Sequence, residues 1–333
     1  MAGRFLVRSL FGFLIGLQAQ ASHPAPQDED AVENATGQTC VVALKCEYRT
    51  EPLDVDTVTP KLSWQLLSQE RCAKQTAYQV LVSSSRDLLS AEQGDLWDNG
   101  KVLSSQNIHV KYAGHRLPAR TDCFWKVRVW DHTQATSEWS ETAHWKMGLL
   151  ARSDWQAEWI GYDRVIGSAY DPSIPYLRSD EYSLRVAEDP EYENQLHLPP
   201  APFLRSEFRI GKPVMGSFVY VSALGLYELY LNGRRVSDDC FRPGWTDYRK
   251  RVQYQVYDIT EYLRDGANVV GVVLADGWYA GYFGSQQRQH YGGNPRVVVQ
   301  IEANYADATR AVFGSNEDWK ASYGPILEAD ILH

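Results

Sequence analysis

The sequence predicts an all-β fold built from two β-sandwich domains. Three observations point there. From Cys40 onward, short alternating apolar runs are separated by Asp, Asn and Gly turns. No helical period appears between Cys40 and Leu150. A second and clearer block of alternation begins at Phe203, after a stretch rich in Pro, Tyr and acidic residues. With 333 residues, 44% of them hydrophobic and 12% aromatic, the chain is long enough for two cores and too polar for a multi-span membrane protein. Eleven Trp and twenty Tyr against three Met suit both sandwich cores and surfaces that contact sugars, since both use flat apolar rings. A net charge of −9 argues against a nucleic-acid partner, whose binding relies on Lys and Arg at phosphates.

The first residues have the form of an export signal, residues 1–21. Arg4 and Arg8 give a positive start, Ser9 to Leu17 form a short apolar core, and Ala19-Gln20-Ala21 offers a small-residue cleavage site. The mature chain is then expected to begin near Ser22, in the periplasm or outside the cell, with a retained anchor as the alternative. Residues 22–39, rich in Pro, Gln, Asp and Glu, are expected to form a disordered linker. Export would place Cys40, Cys46, Cys72, Cys123 and Cys240 where disulfides can form. Their number is odd and their spacing fits no metal site, so either unpaired thiols or one disulfide among the first four is expected.

Residues 40–150 form the first predicted domain. Its strands are expected at Lys61 to Leu67, Ala77 to Ser83, Phe124 to Asp131 and His144 to Met147, with turns at Asp87 and Asp98-Asn99-Gly100. This spacing fits a fibronectin type III or immunoglobulin-like sandwich. Residues 151–202 comprise a connecting strand, Asp154 to Ile160, and an insertion expected to be a long surface loop. Residues 203–333 form the second domain. There Ser217 to Ser222 alternates, and Leu226 to Leu231 runs through Asn232-Gly233 into Arg234-Arg235-Val236, a strong hairpin signal. Tyr257 to Leu263, Val269 to Leu274, Arg296 to Tyr305 and Thr309 to Phe313 complete a jelly-roll sandwich of galactose-binding-like layout.

Several of these strings resemble the bacterial α-L-rhamnosidases. In the first domain they are Cys46-Glu47-Tyr48-Arg49-Thr50-Glu51-Pro52-Leu53, Pro60-Lys61-Leu62-Ser63-Trp64, Trp125 to Asp131 (WKVRVWD) and Ser137-Glu138-Trp139-Ser140. In the second they are Ala223-Leu224-Gly225-Leu226-Tyr227-Glu228 with Asn232-Gly233, Pro243-Gly244-Trp245-Thr246-Asp247-Tyr248, and Asp276-Gly277-Trp278-Tyr279-Ala280-Gly281. The resemblance runs from about Cys40 to Ile331, with the strings in the family's order. It implies an enzyme family that removes terminal L-rhamnose with inversion, using two carboxylates on an (α/α)6 barrel that follows these β domains. The sequence reaches His333 before that barrel, so no catalytic position carries over, and the chain is expected to be inactive alone. A missing or separately encoded catalytic barrel and rhamnose-containing glycans are the partners the resemblance implies. The alternative is an autonomous carbohydrate-binding or scaffold module, again secreted.

The candidate sugar-contacting residues are Trp245, Asp247 and Tyr248, and Asp276, Trp278 and Tyr279, because carboxylates beside rings can bind hydroxyls while the rings stack on a sugar face. The structural alternative is that both strings are strand-end turns whose Asp caps amides and whose Trp fills the core. Some sandwich modules in the family hold L-rhamnose through calcium. The corresponding stretch here, Ser222 to Tyr227, has no oxygen-bearing side chain at Leu224 or Gly225, so no metal site and no cofactor are expected. Asp54 and Asp56 read as a solvated turn, and the eight His form no ligand grouping. No G-x-S-x-G turn occurs. Arg249-Lys250-Arg251 fits either a charged strand edge or a contact with an acidic polysaccharide.

Overall fold

The computed structural model describes residues 39–162, 200–282, 289–326 and 329–331. The expected export signal, nearly all of the linker and most of the 151–202 insertion lie outside the described residues. Among the described residues no helix is long and apolar enough to cross a membrane.

The first domain contains β1 (Cys40–Cys46), β2 (Lys61–Leu67), β3 (Gln75–Ser83), β4 (Trp97–Asp98), β5 (Val110–Lys111), β6 (Asp122–Asp131) and β7 (Ala143–Lys146). They form a three-stranded sheet ordered β1-β2-β5 and a four-stranded sheet ordered β4-β3-β6-β7. The alternation read from the sequence places Leu62 and Trp64 of β2 inward against Trp125, Val127 and Val129 of β6, so both sheets drive one core. Trp64, Trp125 and Trp145 are fully buried, and Trp125 meets Trp145 edge-on at 6.2 Å. Of these three indoles Trp64 has a partner for its N–H, donating to Gln75 Oε1 at 3.0 Å, while the buried N–H groups of Trp125 and Trp145 have none among the described residues. Gln75 in turn donates to the carbonyls of Ser104 and Gln106, pinning the strand-poor segment before β5.

The second domain contains β8 (Pro202–Ile210), β9 (Val214–Leu224), β10 (Leu226–Leu231), β11 (Arg234–Arg235), β12 (Gln255–Asp258), β13 (Gly266–Ala275), β14 (Arg296–Tyr305), β15 (Arg310–Gly314) and β16 (Lys320–Tyr323). A five-stranded sheet, β11-β10-β13-β8-β16, faces a four-stranded one, β12-β9-β14-β15. Inward residues of both, among them Leu229, Leu231, Val270, Val272, Val219, Val221, Val297 and Val299, make a second and separate core. The Asn-Gly signal is realised as a two-residue hairpin: Leu231 pairs with Arg234, and Asn232 and Gly233 have φ of +52° and +81°.

Three local expectations change. The Asp87 turn is a single helical turn, Arg86–Ser90, started by the Ser85 hydroxyl accepting from the Leu88 amide and too short to show a period. The strand expected at Asp154 to Ile160 reduces to one bridge, Ile160 to Val297. Its amides are taken elsewhere, since Gln156 and Ala157 donate to Gln300 Oε1 and Glu158 donates to the Ser315 carbonyl, so no ladder can form. The run from Tyr257 to Leu263 is a strand only to Asp258 and continues as a tight turn, Thr260–Tyr262. All five cysteines are free thiols, Cys46 and Cys123 buried and Cys72 and Cys240 exposed, so the unpaired reading holds over the single disulfide.

The two sandwiches meet through a small apolar cluster. Leu149 from the end of the first domain packs with Tyr220 and Val256 of the second, flanked by Leu53, Trp155, Phe218 and Tyr254. The Tyr254 hydroxyl donates to the Leu149 carbonyl at 3.3 Å and accepts from its amide at 2.9 Å. Arg120 of the first domain reaches Glu302 of β14 with its Nε at 2.7 Å and its Nη2 at 2.8 Å, and Nη2 also donates to the Asp154 carbonyl at 2.8 Å. Glu302 is almost wholly buried, which makes this two-pronged contact a fixed joint.

Candidate functional site

The register of the second sandwich gathers three connections at one end. Leu226 at the start of β10 pairs with Ala275 at the end of β13, and Leu224 at the end of β9 pairs with Arg296 at the start of β14. The turn at Gly225, the long loop from Val236 to Tyr254 and the connection from Asp276 to Pro295 therefore all emerge together. Both candidate strings lie on these loops.

The structure brings the two strings into contact through their tyrosines. Tyr248 and Tyr279 meet edge-on with ring centroids 5.5 Å apart, and Tyr291 packs on the other side of Tyr248 at 5.1 Å. The Tyr248 hydroxyl donates to the Gly244 carbonyl at 3.2 Å. Burial, reinforced by the neighbouring Tyr291, pushes that phenol up to about 12, so it stays a neutral donor. Trp278 is half-buried and lies 6.0 Å from Phe241, while Trp245 is 51% exposed. Neither indole belongs to the buried cores.

For the aspartates the outcome divides. Asp247 is a turn residue: its Oδ1 accepts from the Arg249 amide at 3.2 Å and its Oδ2 pairs with Lys250 at 3.4 Å. Asp276 is buried and precedes the helical turn Gly277–Ala280, but its side chain caps no amide of that turn. Its backbone amide instead donates to the Ala329 carbonyl, tying this end of the domain to residues near the end of the described chain.

Sequence reasoning passed over Phe241, His290 and Tyr291, and read Arg249 only within a basic run that fits a charged strand edge or an acidic-polysaccharide contact. Arg249 lies over the Tyr291 ring at 5.3 Å and donates to His290 Nε2 at 2.7 Å. The basic run Arg249 to Arg251 sits in the turn after Asp247, four residues before β12 begins, so it is not a strand edge. Aromatic density next to consecutive cations was the available signal for these residues.

Beside this end a small cleft is lined by Tyr227, Glu228, Arg235, Asp239, Arg242 and Tyr257. Tyr257 donates to Asp239 Oδ2 at 3.2 Å, and Tyr227 donates to Gln255 Oε1 at 2.9 Å. Arg242 pairs with Asp239 at 3.1 Å and Arg235 with Glu228 at 2.9 Å. The hydrogen bond from Arg242 holds the Asp239 carboxyl below the usual carboxylate range despite partial burial. With its charges paired internally, though Arg235 Nε and Arg242 Nε are buried without a hydrogen-bond partner among the described residues, the cleft fixes the base of the Val236 to Tyr254 loop, which also carries a cis peptide bond at Arg242-Pro243.

The residues do not fit a family-type calcium site at the β9 to β10 turn. Leu224 offers no side-chain oxygen, and Gly225 has φ of +117° with a would-be Cβ only 2.4 Å from the Ala275 carbonyl, so no liganding side chain could stand there. Among the described residues no three His, Cys, Asp or Glu side chains gather around a common point.

Comparison with known proteins matches residues 41–151 to the family model described as "Rha78A-like, N-terminal immunoglobulin domain". Residues 212–333 match the model described as "Alpha-L-rhamnosidase N-terminal domain". An alpha-L-rhamnosidase of Alteromonas sp. (strain LOR) is 34% identical over 83% of this chain and 28% of its own length. The structure of alpha-L-rhamnosidase from Dictyoglumus thermophilum is 35% identical with a TM-score of 0.76, covering 90% of this chain and 31% of that one. The Streptomyces avermitilis alpha-L-rhamnosidase complexed with L-rhamnose is 30% identical with a TM-score of 0.75, covering 88% of this chain and 42% of that one. The chain thus spans between 28% and 42% of the curated relatives' lengths and corresponds to their N-terminal region.

Proposed function

Because the chain belongs to the α-L-rhamnosidase family, of which it carries the two N-terminal β domains, we propose that it is the glycan-presenting, non-catalytic part of a rhamnoside-hydrolysing system. In this reading the aromatic end of the second sandwich holds a rhamnose-containing glycan, and a catalytic barrel, on the same polypeptide or a separate one, performs the hydrolysis. The contact of Tyr248 with Tyr279 carries the proposal, because it joins two strings 31 positions apart into one surface that leaves Trp245 half exposed. Exposed or half-exposed indoles beside phenol groups suit the apolar face and hydroxyl rim of a sugar. The positive, apolar start of the sequence supports export, so the system would work in the periplasm or outside the cell.

Titration of the chain with L-rhamnose and with neutral rhamnosylated oligosaccharides tests this reading. Saturable changes in Trp fluorescence are expected, lost on Trp245→Ala or Trp278→Ala in variants that keep the wild-type circular dichroism. An unchanged emission across all these sugars would sink it. The chain should release no rhamnose from an aryl rhamnoside, and turnover at enzyme-like rates would overturn the non-catalytic assignment.

A further inference from the structure

The end surface described above carries a charge feature that neutral sugar binding leaves unused. The whole chain has a net charge of −9, yet Arg249, Lys250 and Arg251 stand together beside Trp245 and Tyr248. The neighbouring guanidinium groups of Arg235 and Arg242 are neutralised by Glu228 and Asp239, and Lys250 is paired with Asp247. Among the described residues no carboxylate pairs with Arg249 or Arg251, and both side chains are exposed.

Arg249 is also held in place. Its Nη2 donates to His290 Nε2 at 2.7 Å. The His290 carbonyl receives a second, longer contact at 3.4 Å, and the Tyr291 ring supports the guanidinium plane at 5.3 Å. Tyr291 is itself fixed against Tyr248, which touches Tyr279. The guanidinium therefore has little conformational freedom to lose and still has unused donors, the condition for binding an oxyanion well.

We propose that this end of the domain binds acidic glycans, with Arg249 and Arg251 receiving an anionic substituent, either a uronate carboxylate or a sulfate ester, on a sugar next to the one that lies on the aromatic surface. The proposal rests on the sugar-binding reading above and adds the class of glycan. A charged neighbour explains why an acidic chain places an uncompensated pair of cations beside its exposed rings. Exposure and salt screening limit the gain, so the acidic substituent should strengthen binding about tenfold at low salt and hardly at all at high salt.

Calorimetric titration with two matched ligand pairs tests it. One pair is a uronate-bearing rhamno-oligosaccharide and its carboxyl-reduced form; the other is a sulfated rhamno-oligosaccharide and its desulfated form. The expected result is preference for the acidic member of at least one pair, and the pair that responds identifies the substituent. Arg249→Gln with Arg251→Gln should abolish that preference and leave affinity for the neutral members unchanged, while Arg249→Lys should keep part of it. Neutral members binding as tightly as acidic ones overturns the anionic assignment and leaves the sugar-binding reading intact. Preference surviving in the double variant, or equal competition by polyglutamate, also overturns it. No binding by any of the four ligands overturns the underlying reading and this proposal together.

Discussion

At Gly225 the chain must pass from β9 to β10 with φ of +117°, and an added methyl would press on the Ala275 carbonyl, which the β10 to β13 ladder holds still. Gly225→Ala should therefore cost about 2 to 3 kcal/mol, read as a lower urea midpoint. Gly211, with no atom near its would-be Cβ and no positive φ, should accept Ala within a few tenths of a kcal/mol or gain slightly. Equal losses at the two sites would refute the steric argument. Thiol chemistry divides by the same local logic. Burial, aided by the Glu47 carboxylate, pushes the Cys46 thiol up to about 12, and burial likewise pushes Cys123 up, while Cys72 and Cys240 are exposed. Mass-spectrometric labelling of the folded chain near neutral pH should modify Cys72 and Cys240 and reach Cys46 and Cys123 only after denaturation.

Among the elements, the β10–β11 hairpin shows how much one turn residue can hold. Asn232 adopts φ of +52°, donates to the Tyr262 carbonyl at 2.9 Å and to Asn268 Oδ1 at 2.8 Å, and accepts from the Val269 amide at 2.9 Å. Asn232→Ala removes three half-buried hydrogen bonds and leaves Cβ strain, so a loss of about 2 to 3 kcal/mol is expected, measured by thermal or urea unfolding. Asn232→Asp keeps the acceptor and the turn preference and should lose less. This hairpin was legible in the sequence because Asn-Gly reports a backbone geometry that two residues fix locally. The alternating strands Lys61–Leu67 and Leu226–Leu231 were legible for the same reason, since one buried face dictates a period of two. Asp154 to Ile160 misled because the hydrogen bonds that deny it a ladder come from Gln300 and Ser315, more than 140 positions away. At the candidate site the two strings could be read, as carboxylates beside rings. That Tyr248 would touch Tyr279, and that Arg249 would be braced by His290 and Tyr291, depends on which loops the strand register brings to one end.

On the scale of the whole molecule, the joint between the sandwiches decides whether the aromatic end is presented in a fixed direction. Arg120 and Glu302 lie 182 positions apart and meet in a nearly water-free contact, with Asp154 at 3.4 Å from Arg120. Burial pushes Asp154 up, but the Ala151 and Leu150 amides and the Arg120 guanidinium outweigh it and hold it below the usual range. Burial likewise pushes Asp122 up, but His144 and Lys146 hold it down, and that Lys146 ammonium lies over the Phe218 ring of the second domain at 4.5 Å. A carboxylate with a depressed folded pKa adds stability that is fully present above its unfolded pKa, about 4, and is lost as pH falls through the lower folded value. The joint should therefore be intact at neutral pH and weaken below about pH 4, before either apolar core is affected. Scanning calorimetry should show one cooperative transition at neutral pH and two on acidification, as the sandwiches come to unfold separately. Glu302→Gln leaves Arg120 with only its longer contact to Asp154 at 3.4 Å and should produce the split already at neutral pH, with a loss of about 3 kcal/mol. Arg205→Gln, which breaks the exposed pair with Glu207, should leave the single transition unchanged. A single transition that persists in Glu302→Gln and in acid would mean that the apolar cluster around Leu149, Tyr220 and Val256 couples the domains without help from charge.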